Sequence, residues 1–293
     1  MPSLKEVKNR IGSVISTQQI TKAMKMVAAA KLRRSQEKVL QMRPFAQKLT
    51  AILQNLSTTD GAEPGWYNKP RPERNILMIV ISSDRGLCGS FNSNVYKEVM
   101  RVIEERYSEQ RKQRTVTILP LGKRGLEFFR KRDFPVDAAY VNVFQDLTFA
   151  HVSEIADHVM DAYRAGKYDK VILFYNEFKN VATQILRIEQ YLPVLPPATQ
   201  EKKVVPIDYI YQPDQEEIIS GLIPKSLRVQ LFKALLDSNA AENGARMTAM
   251  DKATENAGEL LRELRLTYNR TRQAAITKEI LEIVGGAEAL KSS

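Results

Sequence analysis

Cysteine, histidine and long apolar runs are all scarce in this chain. Cys88 is the only cysteine in 293 residues, so no intrachain disulfide can form and no thiolate cluster can hold a metal. His151 and His158 are the only histidines, too few to furnish a zinc site. No cofactor and no metal are therefore expected. The longest apolar run, Ile76–Ile81, falls far short of the roughly 20 residues that cross a bilayer. Residues 1–30 carry Lys and Arg throughout and lack the apolar stretch of a signal peptide. The expectation is a protein of the cytosolic side with nothing to cleave and, at most, a peripheral membrane role.

Acid is scarce at one end. Residues 1–56 hold 11 Lys/Arg against Glu6 and Glu37, so this segment supplies +9 of a net +10. Such an imbalance points to an acidic partner: nucleic acid, anionic lipid or an acidic protein surface. Aromatic side chains are absent from the segment before Phe45, so the stacking platform of a single-strand binder is missing. Proline is absent after Pro224, which leaves the C-terminal stretch free to run as one helix.

The N-terminal segment opens with Ser3 and Glu6 at capping-box spacing. A heptad then runs without slippage. One seam position reads Leu4, Ile11, Gln18, Lys25, Leu32, Val39, Ala46, Leu53; the other reads Val7, Val14, Thr21, Ala28, Ser35, Met42, Leu49, Leu56. A seam sustained this long predicts a coiled coil. Pro44 should kink the helix or remove one backbone bond. From Pro224, placed in a first turn, apolar and small residues recur at helical spacing to Val284, with Gly285–Gly286 as the expected stop. Neither helix can stand alone in water, and each offers the other its apolar stripe. Gln18, Thr21, Lys25 and Ser35 interrupt the seam, so the pair should also face something besides itself.

Between the ends, Thr58–Arg74 reads as a loop, followed by alternating strands and helices. Strands are expected at Ile76–Ser82, Thr115–Leu121, Tyr140–Phe144, Val171–Asn176, Gln184–Leu192 and Ile207–Tyr211. Helices are expected at Ser93–Arg106, Leu126–Arg130 and His151–Ala165. The order argues a mostly parallel sheet, with the last strands as antiparallel edges. The fold class is α/β: a long antiparallel coiled coil of the terminal helices plus a central Rossmann-like α/β domain. The expected division is 1–57, 75–212 and 213–293.

Candidate chemistry is thin. Gly86-Leu87-Cys88-Gly89 follows a strand, but its glycine spacing matches neither a dinucleotide fingerprint nor a P-loop, and it reads better as a tight turn. Gly122-Lys123-Arg124-Gly125 could hold an anion; a solvated basic turn is the plainer reading. Asp84, Arg85 and Cys88 lie close, but neither histidine is placed to serve as a base for a thiol nucleophile. His151 and His158, seven apart, share a helix face as two surface histidines would. Lys31, Arg33, Arg34 and Lys38 form a basic face on the first helix.

Four segments resemble the gamma subunit family of F-type ATP synthase: Ile20–Leu32 (ITKAMKMVAAAKL), Ser82–Gly89 (SSDRGLCG), Ala245–Ala257 (ARMTAMDKATENA) and Tyr268–Thr277 (YNRTRQAAIT). They cover both ends and the middle in the family's order. The resemblance implies a rotating central stalk, non-catalytic itself, with the α/β foot and an epsilon subunit on a membrane c-ring and the coiled coil inside an alpha/beta hexamer. It implies coupling of proton flow to ATP synthesis, at the cytoplasmic face of a bacterial inner membrane. By the same resemblance Met24 and Lys25 should lie near a beta-subunit lever, and Arg272, Gln273 and Thr277 should contact a beta loop. Tyr209, Tyr211 and Gln212 would be the foot facing the c-ring and epsilon, although the family commonly has Glu where Gln212 stands. The basic face Lys31, Arg33, Arg34, Lys38 would meet acidic lever loops, and Ile276–Val284 would turn in an apolar sleeve. The cysteine-bearing insert of chloroplast relatives is missing. The alternative is a basic coiled-coil protein binding nucleic acid, weakly and in a salt-labile way. A small-molecule enzyme built on the α/β domain is the third possibility.

Overall fold

The computed structural model describes residues 3–57, 67, 71–194 and 215–291. Its elements are α1 (Leu4–Ser57), β1 (Ile76–Ile81), α2 (Phe91–Arg106), α3 (Ser108–Lys112), β2 (Val116–Leu121), α4 (Lys123–Arg130), a 3-10 turn (Val143–Gln145), α5 (Phe149–Arg164), β3 (Lys170–Phe178), β4 (Gln184–Leu192) and α6 (Gln215–Lys291). The chain divides into two compact units, Met1–Val27 with Met247–Ser293, and Ala28–Arg246.

In the larger unit the sheet order is β2-β1-β3-β4. β1 pairs in parallel with β2 and β3, and β4 closes one side antiparallel to β3. Every residue of β1 is buried, as a central parallel strand requires. Its side chains alternate between two cores. Leu77, Ile79 and Ile81 face Val152, Ile155 and Val159 of α5 and Leu227, Leu231 and Leu235 of α6. Ile76, Met78 and Val80 face Val95, Val99 and Ile103 of α2, with Phe129 and Phe134. α5 starts where Thr148 Oγ1 accepts the His151 amide, and it stops at Gly166, whose φ of 75° suits a residue without Cβ.

Here α6 is not amphipathic. From Ala234 to Ser238 and from Ala240 to Asn243 every residue is buried, polar ones included. A helix covered on all sides belongs to an interior rather than to a surface pair.

In the smaller unit the N-terminal turns of α1 run antiparallel to α6. Lys25 meets Asp251, Thr21 meets Thr254, and Gln18 meets Gly258. Ser3 Oγ accepts the Glu6 amide and caps α1, as its capping-box position predicts. The heptad seam is legible in the burial of α1. Val7, Thr21, Ala28, Leu32, Ser35, Val39 and Leu49 are buried, and all are seam positions.

Three expectations need correction. Tyr140–Phe144 is not a strand: a turn leads into the 3-10 segment, where Val143 is buried beneath α5. Its alternating burial mimics a strand, but no sheet edge pairs with it. Pro224 lies inside α6 rather than in its first turn, and Gly285–Gly286 do not stop the helix, which runs to Lys291. Neither glycine takes a positive φ, and a stop needs the left-handed turn as well as the residue type. Pro44, by contrast, meets its expectation: α1 runs on through it, and its missing N–H removes one helical bond. The expected strand Ile207–Tyr211 lies outside the described residues.

Candidate functional site

The pairing of α1 with α6 is partly polar. The Thr21 and Thr254 hydroxyls lie 2.8 Å apart. Each also reaches a carbonyl of its own helix, Gln18 O and Met250 O, so two hydroxyl protons serve three bonds. Gln18 Nε2 donates to Thr254 O at 3.4 Å, and a Cβ at Gly258 would stand 3.2 Å from that nitrogen. Glycine is what lets the glutamine lie across α6. Lys25 Nζ lies 2.6 Å from Asp251 Oδ1, a half-exposed pair that stabilises by less than about 1 kcal/mol but selects register. Met24, beside it, is half-buried.

The pairings of Lys25 with Asp251, Thr21 with Thr254 and Gln18 with Gly258 set one antiparallel register, which, counted on to Leu4, reaches Thr271 or Arg272. Beyond Ala275 the described side chains of α6 are all exposed. They include Ile276, Ile280, Leu281, Ile283 and Val284, with Ile283 at 71% exposure. Arg272, Gln273 and Thr277 stand exposed where the pairing ends. Lys25 and Arg272 therefore mark two separate places, some 30 Å apart along α6 at 1.5 Å per residue. In the larger unit Lys31, Arg33, Arg34 and Lys38 are all exposed, and Arg33 is paired with Glu37 at 3.4 Å. Tyr209, Tyr211 and Gln212 lie outside the described residues.

The two glycine-bearing turns sit at the C-terminal ends of β1 and β2. At the start of α4 the donors are already engaged. The Lys123 amide donates to Asp84 Oδ1, the Arg124 amide to Ser83 O, and the Gly125 amide to Ser82 Oγ. The first three amides of α4 are thus spent within the protein and are not available to cradle an anion. At Ser82–Gly89, Asn92 Oδ1 accepts the Ser83 amide, while Asn92 Nδ2 donates to Ser83 Oγ and approaches Cys88 Sγ at 3.4 Å. Burial pushes the Cys88 thiol up, the opposite of an activated thiolate. Leu87 is held exposed in a left-handed conformation, φ 64°.

Sequence reasoning missed what secures that turn. Arg246 and Glu242 form a buried ion pair at 2.7 Å, and Arg246 Nη2 also donates to Arg85 O at 3.1 Å. Burial pushes the Glu242 carboxyl up against the pull of Arg246. The signal was available: Glu242 and Arg246 stand four apart in a stretch otherwise rich in alanine. The histidines are separately engaged. His151 Nδ1 lies 3.0 Å from Asp146 O, and His158 Nε2 lies 3.2 Å from Asp137 Oδ2.

A sequence profile of the family described as ATP synthase matches residues 3–290. An ATP synthase gamma chain of Cytophaga hutchinsonii is 55% identical over 296 residues, covering 100% of both chains. One from Chloroherpeton thalassium is 51% identical over 303 residues, again covering 100% of both. Among solved structures, a chain of the central stalk and c-ring of the Tetrahymena thermophila mitochondrial ATP synthase is 28% identical with a TM-score of 0.58, over 80% of this chain and 99% of that one. A chain of the Euglena gracilis mitochondrial enzyme shares the fold at a TM-score of 0.67 and 22% identity, over 98% of this chain and 94% of that one.

Proposed function

The chain belongs to the ATP synthase gamma chain family, and from that membership we propose that it turns as the central stalk of a proton-translocating ATP synthase. In this reading it carries torque between a membrane c-ring and a hexamer of alpha and beta subunits, and has no active site of its own. The observation that carries the proposal is the helical pair with its unpartnered apolar end. α6 continues past the last α1 turn, and Ile276, Ile280, Leu281, Ile283 and Val284 are left exposed. Such a stripe requires a surrounding partner. An apolar sleeve suits a turning part, because dispersion and burial prefer no orientation, whereas hydrogen bonds would hold one.

In this reading 1–57 and 213–293 would form the shaft, with Leu227, Leu231 and Leu235 of α6 fixing its base against the sheet, and 75–212 would be the foot, bearing on epsilon and the c-ring through Tyr209, Tyr211 and Gln212. Met24 and Lys25 would meet one beta element, and Arg272, Gln273 and Thr277 another. The separation of these two groups along α6 supports two levels of contact rather than one. The basic face Lys31, Arg33, Arg34, Lys38 would meet acidic loops. A partner shifts an equilibrium only through differential interaction with its states, so a shaft whose faces differ is what drives three equivalent beta sites apart.

Among the described residues no helix is long and apolar enough to cross a membrane. Association would run through the complex, at the cytoplasmic face of a bacterial inner membrane. The nucleic-acid alternative has no support among the relatives. The test is co-purification of the tagged chain from native membranes in mild detergent. Recovery of alpha, beta, epsilon and c subunits is expected, and recovery without alpha or beta would overturn the stalk reading.

A further inference from the structure

At the N-terminal ends of the parallel strands, opposite the glycine turns, the chain builds a small basic pocket. It has a volume of about 190 Å³ and is lined by Arg111, Arg114, Arg132, Asp133 and Phe134 among others. The arginines come from the connection entering β2 and from the segment leaving α4. Three guanidinium groups face one lining carboxylate. Arg130 and Lys131, next in sequence, have no ion-pair partner among the described residues.

Two of the guanidiniums are held against aromatic rings. Arg132 Cζ lies 3.6 Å from the centroid of Phe128, and Arg111 Cζ lies 5.3 Å from that of Phe134. A guanidinium laid on a ring loses conformational freedom but keeps in-plane N–H donors; in Arg132 one of them, Nη1, already donates to Phe128 O at 3.4 Å, which leaves the rest for a ligand. Arg111 has only a loose ion pair, 3.7 Å from Glu104. The backbone donors nearby are spent on turns: the Arg114, Arg132, Asp133 and Phe134 amides all donate to local carbonyls. Any ligand here is held by side chains.

Backbone conformation marks the same place. Arg114 and Asp133 both take φ of 59°, two of the three non-glycine residues at positive φ among the described residues. Arginine has no special tolerance for that region. Each is the left-handed cap of the helix before it, with the Thr115 amide returning to Gln110 O and the Phe134 amide to Phe129 O, and the two caps bring these side chains together. Asp133 Oδ1 sits 3.1 Å from Arg114 Nη2, with side chains 84% and 63% exposed. A pair that open to water is weak and readily exchanged. The carboxylate occupies the position a stronger anion would take.

We propose that this pocket binds a phosphate-type oxyanion, which displaces Asp133 from Arg114 and is gripped by Arg111, Arg114 and Arg132. Planar guanidinium donors match tetrahedral phosphate oxygens, and charge-assisted bonds are the stronger kind. The volume is below that of pockets for drug-sized ligands, which suits a phosphate group, alone or as pyrophosphate, rather than a whole nucleotide. That group can come from free phosphate or from the headgroup of an anionic phospholipid. The proposal is independent of the stalk reading.

The test uses the full chain with inorganic pyrophosphate, followed by calorimetry, and phosphatidylglycerol-containing vesicles, followed by co-sedimentation, both at low salt. The double variant Arg114→Gln/Arg132→Gln should weaken pyrophosphate binding about ten-fold or more, through loss of charge-assisted bonds. A control of equal charge change at two exposed arginines of α6, Arg262→Gln/Arg265→Gln, should alter it less than about two-fold if the site rather than net charge governs binding. Asp133→Asn should tighten binding about three-fold by removing the competing anion. Asparagine also tolerates positive φ, so this variant keeps the turn even if the arginine variants do not fold. Pyrophosphate binding without vesicle binding assigns a free oxyanion. Vesicle binding that follows the same order of variants, and that pyrophosphate competes away, assigns a headgroup. Binding by either probe that tracks net charge alone, or that is unmoved by Asp133→Asn, would overturn the proposal.

Discussion

Asp237 is the least settled residue of the interior. It is fully buried on α6, and neither carboxylate oxygen has a hydrogen-bond partner among the described residues. Burial pushes its pKa to about 6 from an ordinary 3.8, with Lys233 and Arg43 pulling down and Glu177 and Glu189 pushing up. The folded state thus holds the proton more tightly than the unfolded chain. The contribution of Asp237 to stability falls as pH rises from about 4 through about 6, and then levels off. Asp237→Asn should raise the urea midpoint at pH 8 while changing it little at pH 4; equal shifts at both would argue against an ionised carboxylate. Gly122 is the opposite case, a residue with no freedom to change. Its φ is 123°, and a Cβ would stand 2.2 Å from Ser82 O. Gly122→Ala should cost about 3 kcal/mol or more in chemical denaturation, because the obstacle is backbone that cannot step aside. The glycine was visible in the sequence, and so was its position after a strand. What it approaches was not, since Ser82 follows a different strand.

The helices reward pattern reading more fully. The seam traced from Leu4 to Leu49 coincides with the buried face of α1 because a two-position repeat in seven leaves little choice of face. Ala28, 2% exposed, should accept no charge: Ala28→Glu should destabilise the chain by at least about 2 kcal/mol through an unpaired buried carboxylate. An unchanged melting temperature would place that face in water. The exposed end of α6 makes the contrary prediction. Ile280→Ser with Ile283→Ser should change the unfolding free energy of the isolated chain by about 0.5 kcal/mol or less, read as a nearly constant urea midpoint, since neither side chain is buried in it. The same variant should lower recovery of alpha and beta subunits if a sleeve receives this end. Periodicity failed at Tyr140–Phe144, where burial alternates without a ladder. It also failed at the start and end of α6, where Pro224 and Gly285 read as punctuation but lie within the helix. Residue type permits a stop; only backbone dihedrals make one.

For the molecule as a whole, the net charge of +10 is concentrated at one end of the chain, and it sets nonspecific behaviour. The free chain should retard duplex DNA in low salt and release it by physiological salt, as contacts made to phosphates alone do. A gel-shift series checks this; binding that persists with sequence preference would revive the nucleic-acid reading. Membership of the gamma chain family rests on matches along almost the whole chain, from residue 3 to residue 290. The four resembling segments come from both ends and the middle, and they are dispersed over both compact units. The glycine turns, which a motif search would favour as sites, are closed by their own hydrogen bonds. The family rests instead on contiguous segments spread along the chain.

The amino-acid order alone determined the two long helices, the seam of α1, the buried parallel strands and the family, because each is written in local periodicity or in contiguous words. Tertiary structure alone decided that Asp251 answers Lys25, that Arg246 pins a turn some 160 positions earlier, and that the arginines before β2 and after α4 share one pocket. Those facts depend on which distant segments the sheet and the helical pair bring within hydrogen-bonding reach. No local pattern encodes that distance.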